Sequence, residues 1–301
     1  MPTPIADSSS SSKPVRRELG RTGLKVFPIG LGAMPLSIHG RPDDAQAGAV
    51  IKAFIDGGGD LIDTANAYCL DERDMGHNEQ LIRRALDRLG VSDRIMVATK
   101  GGLTRPRGEW EVDGRPACLR ASCEKSLRDL NTDCIALYQL HAIDPKVPLA
   151  ESLAALLQLR AEGKIRHIGL SNVRPEQLRE ALAQAPIVAV QNRCSLFNKR
   201  DFHNGLVDLC AEQGVSYIAH SPVGGHFGHT RLAAHAEIGT LAARLGVSAY
   251  RVALAWLMQK GAHILPIPGA SKVASIIDSL RSVAVSLSAA DMAAVDRLPD
   301  L

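Results

Sequence analysis

Four side chains able to move protons stand at the ends of three successive apolar runs. The first run ends Asp63-Thr64-Ala65-Asn66-Ala67-Tyr68, the second Ala98-Thr99-Lys100 and the third Gln139-Leu140-His141. Amides and a hydroxyl end the next two, at Ser171-Asn172 and Gln191-Asn192. A phenol ionises near pH 10, too high for an ideal acid at neutrality. An ammonium at Lys100 is expected to favour the phenolate of Tyr68 and lower that value. Asp63 is expected to pair with Lys100 and hold it charged. His141 is expected to hydrogen-bond the carbonyl oxygen that Tyr68 protonates. The set reads as a proton donor tuned for a carbonyl or alkoxide, with no nucleophile and no metal ligands.

Side chains so far apart in the chain meet only if strand ends gather on one rim. Apolar runs read as strands over Phe27–Ala33, Asp60–Ala65, Arg94–Lys100, Cys134–His141, Arg166–Ser171, Ile187–Gln191, Ser216–Ser221 and His263–Pro268. Amphipathic stretches between them read as helices over Asp43–Asp56, Asn78–Leu89, Leu119–Leu130, Leu149–Ala161, Pro175–Ala183, Phe202–Gln213, Ala249–Gln259 and Lys272–Leu280. In the second, Leu81, Ile82, Ala85, Leu86 and Leu89 form one stripe. Asp43 and Asn78 are expected to start the first two helices, and Pro175 to sit in a first turn. Near-continuous hydrophobic strands are buried on both faces. Eight such β–α units predict an α/β fold, a closed (β/α)8 TIM barrel with active groups at its C-terminal rim. An open doubly wound sheet is disfavoured, because Pro35 breaks the glycine fingerprint begun at Gly30-Leu31-Gly32. Residues 16–26 predict an N-terminal β-hairpin, and Gly246 with residues 288–298 predicts extra helices.

Residues 1–15, with serines at 8–12, read as a disordered tail, and residues 16–301 as one barrel domain. The chain has 301 residues, 35 Lys plus Arg against 32 Asp plus Glu, and 46% hydrophobic residues. That interleaved balance predicts neither a nucleic-acid nor a membrane partner. A monomer is expected, or at most a weak homo-oligomer. No apolar core of a signal peptide stands at the start, and six scattered cysteines without CxxC suit reduced thiols, so a cytoplasmic location is expected. His226-x-x-His229 with His235 lacks a completing ligand and is not read as a metal site.

The motifs together resemble the aldo-keto reductases over nearly the whole chain after the tail. They are Gly30-Leu31-Gly32, Asp63-Thr64-Ala65-x-x-Tyr68, Lys100, Tyr138-x-Leu140-His141, Gly163-Lys164-Ile165-Arg166-x-Ile168-Gly169-Leu170-Ser171-Asn172, Gln191 and Ile267-Pro268-Gly269. The resemblance implies a catalytic tetrad of Asp63, Tyr68, Lys100 and His141, with Tyr68 as general acid, and a hairpin closing the barrel bottom. It implies a nicotinamide cofactor, NADP(H) rather than NAD(H), lying across the rim without a Rossmann fold. Ser171, Asn172 and Gln191 match the carboxamide holders, with Asp63 beside them. Gly32, Ala33 and Met34 match the loop at the nicotinamide ribose, and Ser221, Pro222 and Val223 the stretch along the pyrophosphate. Ile267, Pro268, Gly269, Ser271, Lys272, Ser275 and Ser279 match the end that takes the adenosine 2′-phosphate.

This chain departs from the pattern in three places. His220 stands where an aromatic ring usually stacks on the nicotinamide, and offers less area. Lys272 stands in place of a phosphate-binding arginine, a point charge rather than a fork. The loop 69–75 after Tyr68 is long. Substrate-pocket candidates are Leu36, Tyr68, Cys69, Trp110, His141 and Phe227, with Leu70 beside them. The chain closes after its last helix-like segment, so a fairly open pocket for a small-molecule carbonyl is expected. The reading is reduction of an aldehyde or ketone to the alcohol by hydride transfer. Two readings compete: a dinucleotide-binding regulatory subunit, and an aldolase using Lys100 as a Schiff-base amine.

Overall fold

The computed structural model describes residues 15–300, apart from the side chains of His226 and Phe227. The tail expectation therefore falls outside the described residues up to position 14. Eight parallel strands form the central sheet: β1 (Leu31–Gly32), β2 (Leu61–Asp63), β3 (Met96–Gly101), β4 (Ile135–Leu140), β5 (Ile165–Ser171), β6 (Ile187–Arg193), β7 (Ser216–His220) and β8 (Ile264–Ile267). They follow one another in chain order around a (β/α)8 barrel.

The sheet closes on glycine. Gly30 and Gly32 donate their amides to Pro266 and Pro268 carbonyls at 3.0 and 3.1 Å, and Gly32 bridges Gly269. A Cβ on Gly32 would lie 2.8 Å from the Ile267 carbonyl oxygen, so no other residue fits this seam. β1 is much shorter than the apolar run Phe27–Ala33. Pro28 has no amide to donate, and only residues 31–32 register with β2.

Inside the barrel, Leu61, Ala98, Leu137, Ala189, Ile218 and Leu265 stack with Leu19 and Val26 of the N-terminal hairpin (Arg17–Glu18 against Lys25–Val26). The hairpin thus plugs the bottom as expected. Arg17 fastens it, donating to the carbonyls of Met258 at 2.5 Å, Gly261 at 2.7 Å and Ile264.

Around the strands run α1 (Asp44–Asp56), α2 (His77–Leu89), α3 (Pro116–Asp129), α4 (Leu149–Ala161), α5 (Pro175–Leu182), α6 (Leu206–Gln213), α7 (Ala249–Lys260) and α8 (Val273–Leu280). Asp43 caps α1 as the sequence predicts, its Oδ1 accepting from Gln46 N at 2.8 Å. Asn78 does not cap α2. Gly76, at φ +88°, takes that position, and Asn78 lies inside the helix, fully buried. The predicted helix Phe202–Gln213 is broken. Gly205, at φ +80°, separates Arg200–His203 from α6. Extra helices Gly225–Ala234 and Ala236–Leu245 precede α7, and Ala289–Asp296 follows α8. Among the described residues no single helix is long and apolar enough to cross a membrane.

Candidate active site

β2, β3 and β4 are neighbours, with Asp63 opposite Ala98 and Lys100 opposite Gln139. That register brings the predicted groups together. Lys100 Nζ lies 2.5 Å from Asp63 Oδ1, 2.9 Å from the Thr64 carbonyl and 3.1 Å from Tyr68 OH. Three acceptors use all three ammonium hydrogens. The phenol oxygen receives one of them, so the Tyr68 hydrogen is left to point elsewhere. Tyr68 and His141 meet edge to face, centroids 5.6 Å apart, at the wall of a cleft of about 380 Å³.

The far side of Asp63 is held by amides. Its Oδ2 accepts from Gln191 Nε2 at 2.7 Å and Gln139 Nε2 at 3.1 Å. Gln139 was not among the predicted site residues. Strand alternation marks it, because Leu137 faces the barrel interior and position 139 must do so too.

The electrostatics differ from the sequence expectation at Tyr68. Burial pushes the phenol up, and the pull of Lys100 in the other direction does not outweigh it. For Lys100, burial pulls the ammonium down, but the nearby Asp63 and Tyr68 raise it overall. Both groups keep their protons at neutral pH. An ammonium with every hydrogen engaged offers no free amine, which argues against the Schiff-base reading. Burial, then Lys100 and His220, hold His141 well below the usual imidazole range, so it is neutral. Burial, Lys100 and Arg193 push His220 down to about 3.

Asn172 and Ser221 directly follow β5 and β7 and stand in left-handed backbone, at φ +58° and +54°. Non-glycine residues persist there only when their surroundings enforce it. For Asn172 the enforcement is visible. Its amide donates to Gln191 O at 3.0 Å, and its Nδ2 to His141 O at 2.9 Å and Ser171 Oγ at 3.1 Å. Val173 follows, clamped at both N–H and C=O by the Asn192 side chain.

Of the other predicted residues, Gly32, Met34, Ser171, Gln191, His220, Ser221, Pro222, Val223, Ile267, Gly269, Ser271, Ser275 and Trp110 line the cleft. Several do not. Leu36 is fully buried, because the 3₁₀ turn Met34–Leu36 turns it into the core beside α1 while Met34 and Pro35 face out. Cys69 is also fully buried, its Sγ directed at the carbonyls of Ala67 and Asp71, and burial pushes its thiol up to about 11. Leu70 points to solvent. Ala33 and Pro268 act through backbone, accepting from Asn78 Nδ2 and Gly32 N. Ser279 is buried one turn beyond Ser275, and exposed Lys272 precedes α8 outside the cleft wall. Phe227 lies outside the described side chains. Sequence reasoning missed Pro35, Leu103, Gly225, His229 and Ala270 on the wall. Small and apolar, apart from His229, they carried no chemical signal. Among the described residues no cluster of three metal-ligating side chains occurs, and the cysteines are free.

Behind Lys100, Glu79 is fully buried and accepts from Thr99 Oγ1 at 2.5 Å. Burial pushes its carboxyl up to about 7, from an ordinary 4.5. The folded protein therefore holds this proton more tightly than the unfolded chain. The resulting stabilisation is complete below pH 4.5 and is lost as pH rises to about 7. We expect Glu79→Gln to flatten that slope, worth roughly 3 kcal/mol across the window. Denaturant melts at several pH values check it; an unchanged slope refutes it.

The sequence matches the Aldo/keto reductase family model over residues 28–300. A Glycine max protein named "Probable aldo-keto reductase 1" is 33% identical over 304 residues, 91% of this chain and 86% of its own length. The holo form of an aldo-keto reductase from Bacillus halodurans superposes with a TM-score of 0.80 at 26% identity, over 94% of this chain and 96% of that one. An aldo/keto reductase from Klebsiella pneumoniae, solved with NADP and acetate, gives 0.77 at 26% identity, over 93% and 94%. Because the match begins ahead of the first barrel strand and runs to the last described residue, the chain belongs to the aldo/keto reductase family and is an oxidoreductase.

Proposed function

We propose that this protein is an NADP(H)-dependent reductase that converts an aldehyde or ketone to the alcohol, with Tyr68 as general acid. The observation that carries the reading is the Lys100 ammonium between Asp63 and the Tyr68 oxygen at the cleft wall. Lys100 donates to the phenol oxygen, so the phenol hydrogen is free for a carbonyl oxygen in the cleft. As an alkoxide develops, Tyr68 gives up that proton and Lys100 stabilises the phenolate left behind. Neutral His141 lines the same cleft and offers a hydrogen bond that helps place the carbonyl. Asp63 keeps Lys100 charged, and Gln139 and Gln191 keep Asp63 in place.

The residues present fit a nicotinamide carboxamide. Both hydrogens of Asn172 Nδ2 are spent on His141 O and Ser171 Oγ. Both hydrogens of Gln191 Nε2 are spent on Asp63 and Gln139. What remains is one donor, the Ser171 hydroxyl, and two acceptors, Asn172 Oδ1 and Gln191 Oε1. A carboxamide brings one acceptor and two donor hydrogens. When bound, the cofactor supplies the hydride from its nicotinamide C4.

Ser271 and Ser275 line the far end of the cleft, and Gln46 Nε2 holds the Ser271 carbonyl at 3.2 Å. Exposed Lys272 precedes α8, whose N-terminal amides add to its charge. These groups support NADPH over NADH. NADPH consumption with 4-nitrobenzaldehyde tests the activity; no turnover across a carbonyl panel defeats it. For the cofactor, Lys272→Ala is expected to weaken NADPH about tenfold and leave NADH unchanged, the size of one charged hydrogen bond. Equal loss for both, in fluorescence titrations, overturns the preference.

A further inference from the structure

Arg105 lies near the cleft and belongs to neither the tetrad nor the cofactor set. It lies between the hairpin strands Leu103–Thr104 and Glu111–Val112, and it is 7% exposed. Its acceptors are backbone carbonyls: Ala67 at 3.5 Å, Leu70 at 3.0 Å, and Gly108 at 2.6 and 3.2 Å. Ala67 and Leu70 bracket Tyr68, so the guanidinium grips the proton donor's loop from both sides. It also stacks on the Trp110 indole, 3.8 Å from the ring centroid. Trp110 meets the Tyr68 ring edge on, centroids 6.3 Å apart, and is 46% exposed while lining the cleft.

An indole has two faces. On Trp110, which lines the cleft, Arg105 covers one and leaves the other for a ligand to contact. A planar fork is suited to this double task, because it stacks and donates in several directions at once. A lysine ammonium is a point charge and does not stack as a plane. Met34, Pro35 and Leu103 line the same cleft and carry no charge.

We propose that Arg105 is a positioning residue that holds Trp110 as a flat wall beside Tyr68, and so makes the site prefer neutral aromatic carbonyl compounds to small aliphatic ones. The substrate half rests on the reductase reading above; the positioning half does not.

The test compares benzaldehyde with butanal under NADPH in the wild type, Arg105→Lys, Trp110→Ala and the double variant. The expected result in Arg105→Lys is a rise in KM for benzaldehyde of about five- to tenfold, the size of one lost aromatic contact, with butanal little changed. Trp110→Ala should remove the same preference, and adding Arg105→Lys to it should change the preference no further. An unchanged benzaldehyde-to-butanal ratio in either single variant overturns the proposal, as do additive effects in the double. Trp110→Ala truncates a half-exposed side chain and keeps the test open if Arg105→Lys folds poorly. Acrylamide quenching of tryptophan fluorescence needs no turnover. Trp256 is fully buried, so quenching reports Trp110. Arg105→Lys should raise the quenching constant about twofold by baring the second face of the indole. An unchanged constant refutes the positioning itself. Increased quenching without reduction of either aldehyde refutes the reductase reading and the aromatic preference, and leaves the positioning in place.

Discussion

Tyr68→Phe is expected to lower kcat for carbonyl reduction by about 10²–10⁴-fold, the usual worth of a positioned general acid. The substitution removes one oxygen and keeps the ring. Its edge contacts with His141 and Trp110 therefore survive, and Lys100 retains Asp63 and the Thr64 carbonyl. The carboxamide set proposed above, Ser171, Asn172 and Gln191, does not include the phenol. Cofactor affinity should accordingly stay within about twofold, well under 1 kcal/mol. A variant that keeps kcat within about tenfold of the wild type would end the assignment of Tyr68 as the acid. The pH profile adds a second check. Burial raises the phenol, so the acid form persists through neutrality. Reduction should be flat across about pH 6–9 and fall only in the alkaline range, while oxidation, which needs the phenolate, rises there. A fall in reduction near pH 7 would place the acid on another group.

Lys100→Met should damage both stability and activity. The Lys100 and Asp63 side chains are 0% and 3% exposed. Removing the ammonium leaves a buried carboxylate with only the neutral amides of Gln139 and Gln191. Breaking a buried pair from one side costs about 3–5 kcal/mol, far more than the pair contributes relative to an apolar replacement. The melting temperature should drop on the order of 10 °C. The asymmetry supplies the control. Asp63→Asn together with Lys100→Met removes the stranded charge, so the double variant should regain most of the lost stability and none of the activity. If the double is as unstable as the sum of the singles, the pair is not the electrostatic unit described here.

Much of the barrel and the tetrad is legible in the sequence, because both rest on signals that survive without coordinates. Eight apolar runs separated by amphipathic stretches leave few closed solutions, and active groups at run ends share a rim. What escapes is whatever depends on which way a short irregular segment turns. Leu36 and Cys69 each follow a strand end or a candidate residue, and both read as pocket wall. A 3₁₀ turn and an inward loop bury them instead. Asn78 carries the composition of a cap, yet it is buried in α2, tying Thr64 to the Ala33 carbonyl and Ser37. Arg105 escapes for a different reason. A single arginine between Thr104 and Pro106 reads as solvated, and only coordinates show its carbonyl partners. The sign of the Tyr68 shift escapes as well. Proximity of Lys100 is readable, but the depth of burial that outweighs it is not.

The glycine seam has a consequence for how the chain is made. Residues 30–32 close against residues 266–269, so the contact joins two ends of a long polypeptide. During synthesis the first seven strands emerge before their last neighbour exists. Until Ile264–Ile267 leaves the ribosome, β1 and β7 each present an unpaired edge, and the apolar interior has no lid on that side. A nascent chain of this kind is most prone to stick to its neighbours late in translation, and there a chaperone would shield it to most effect.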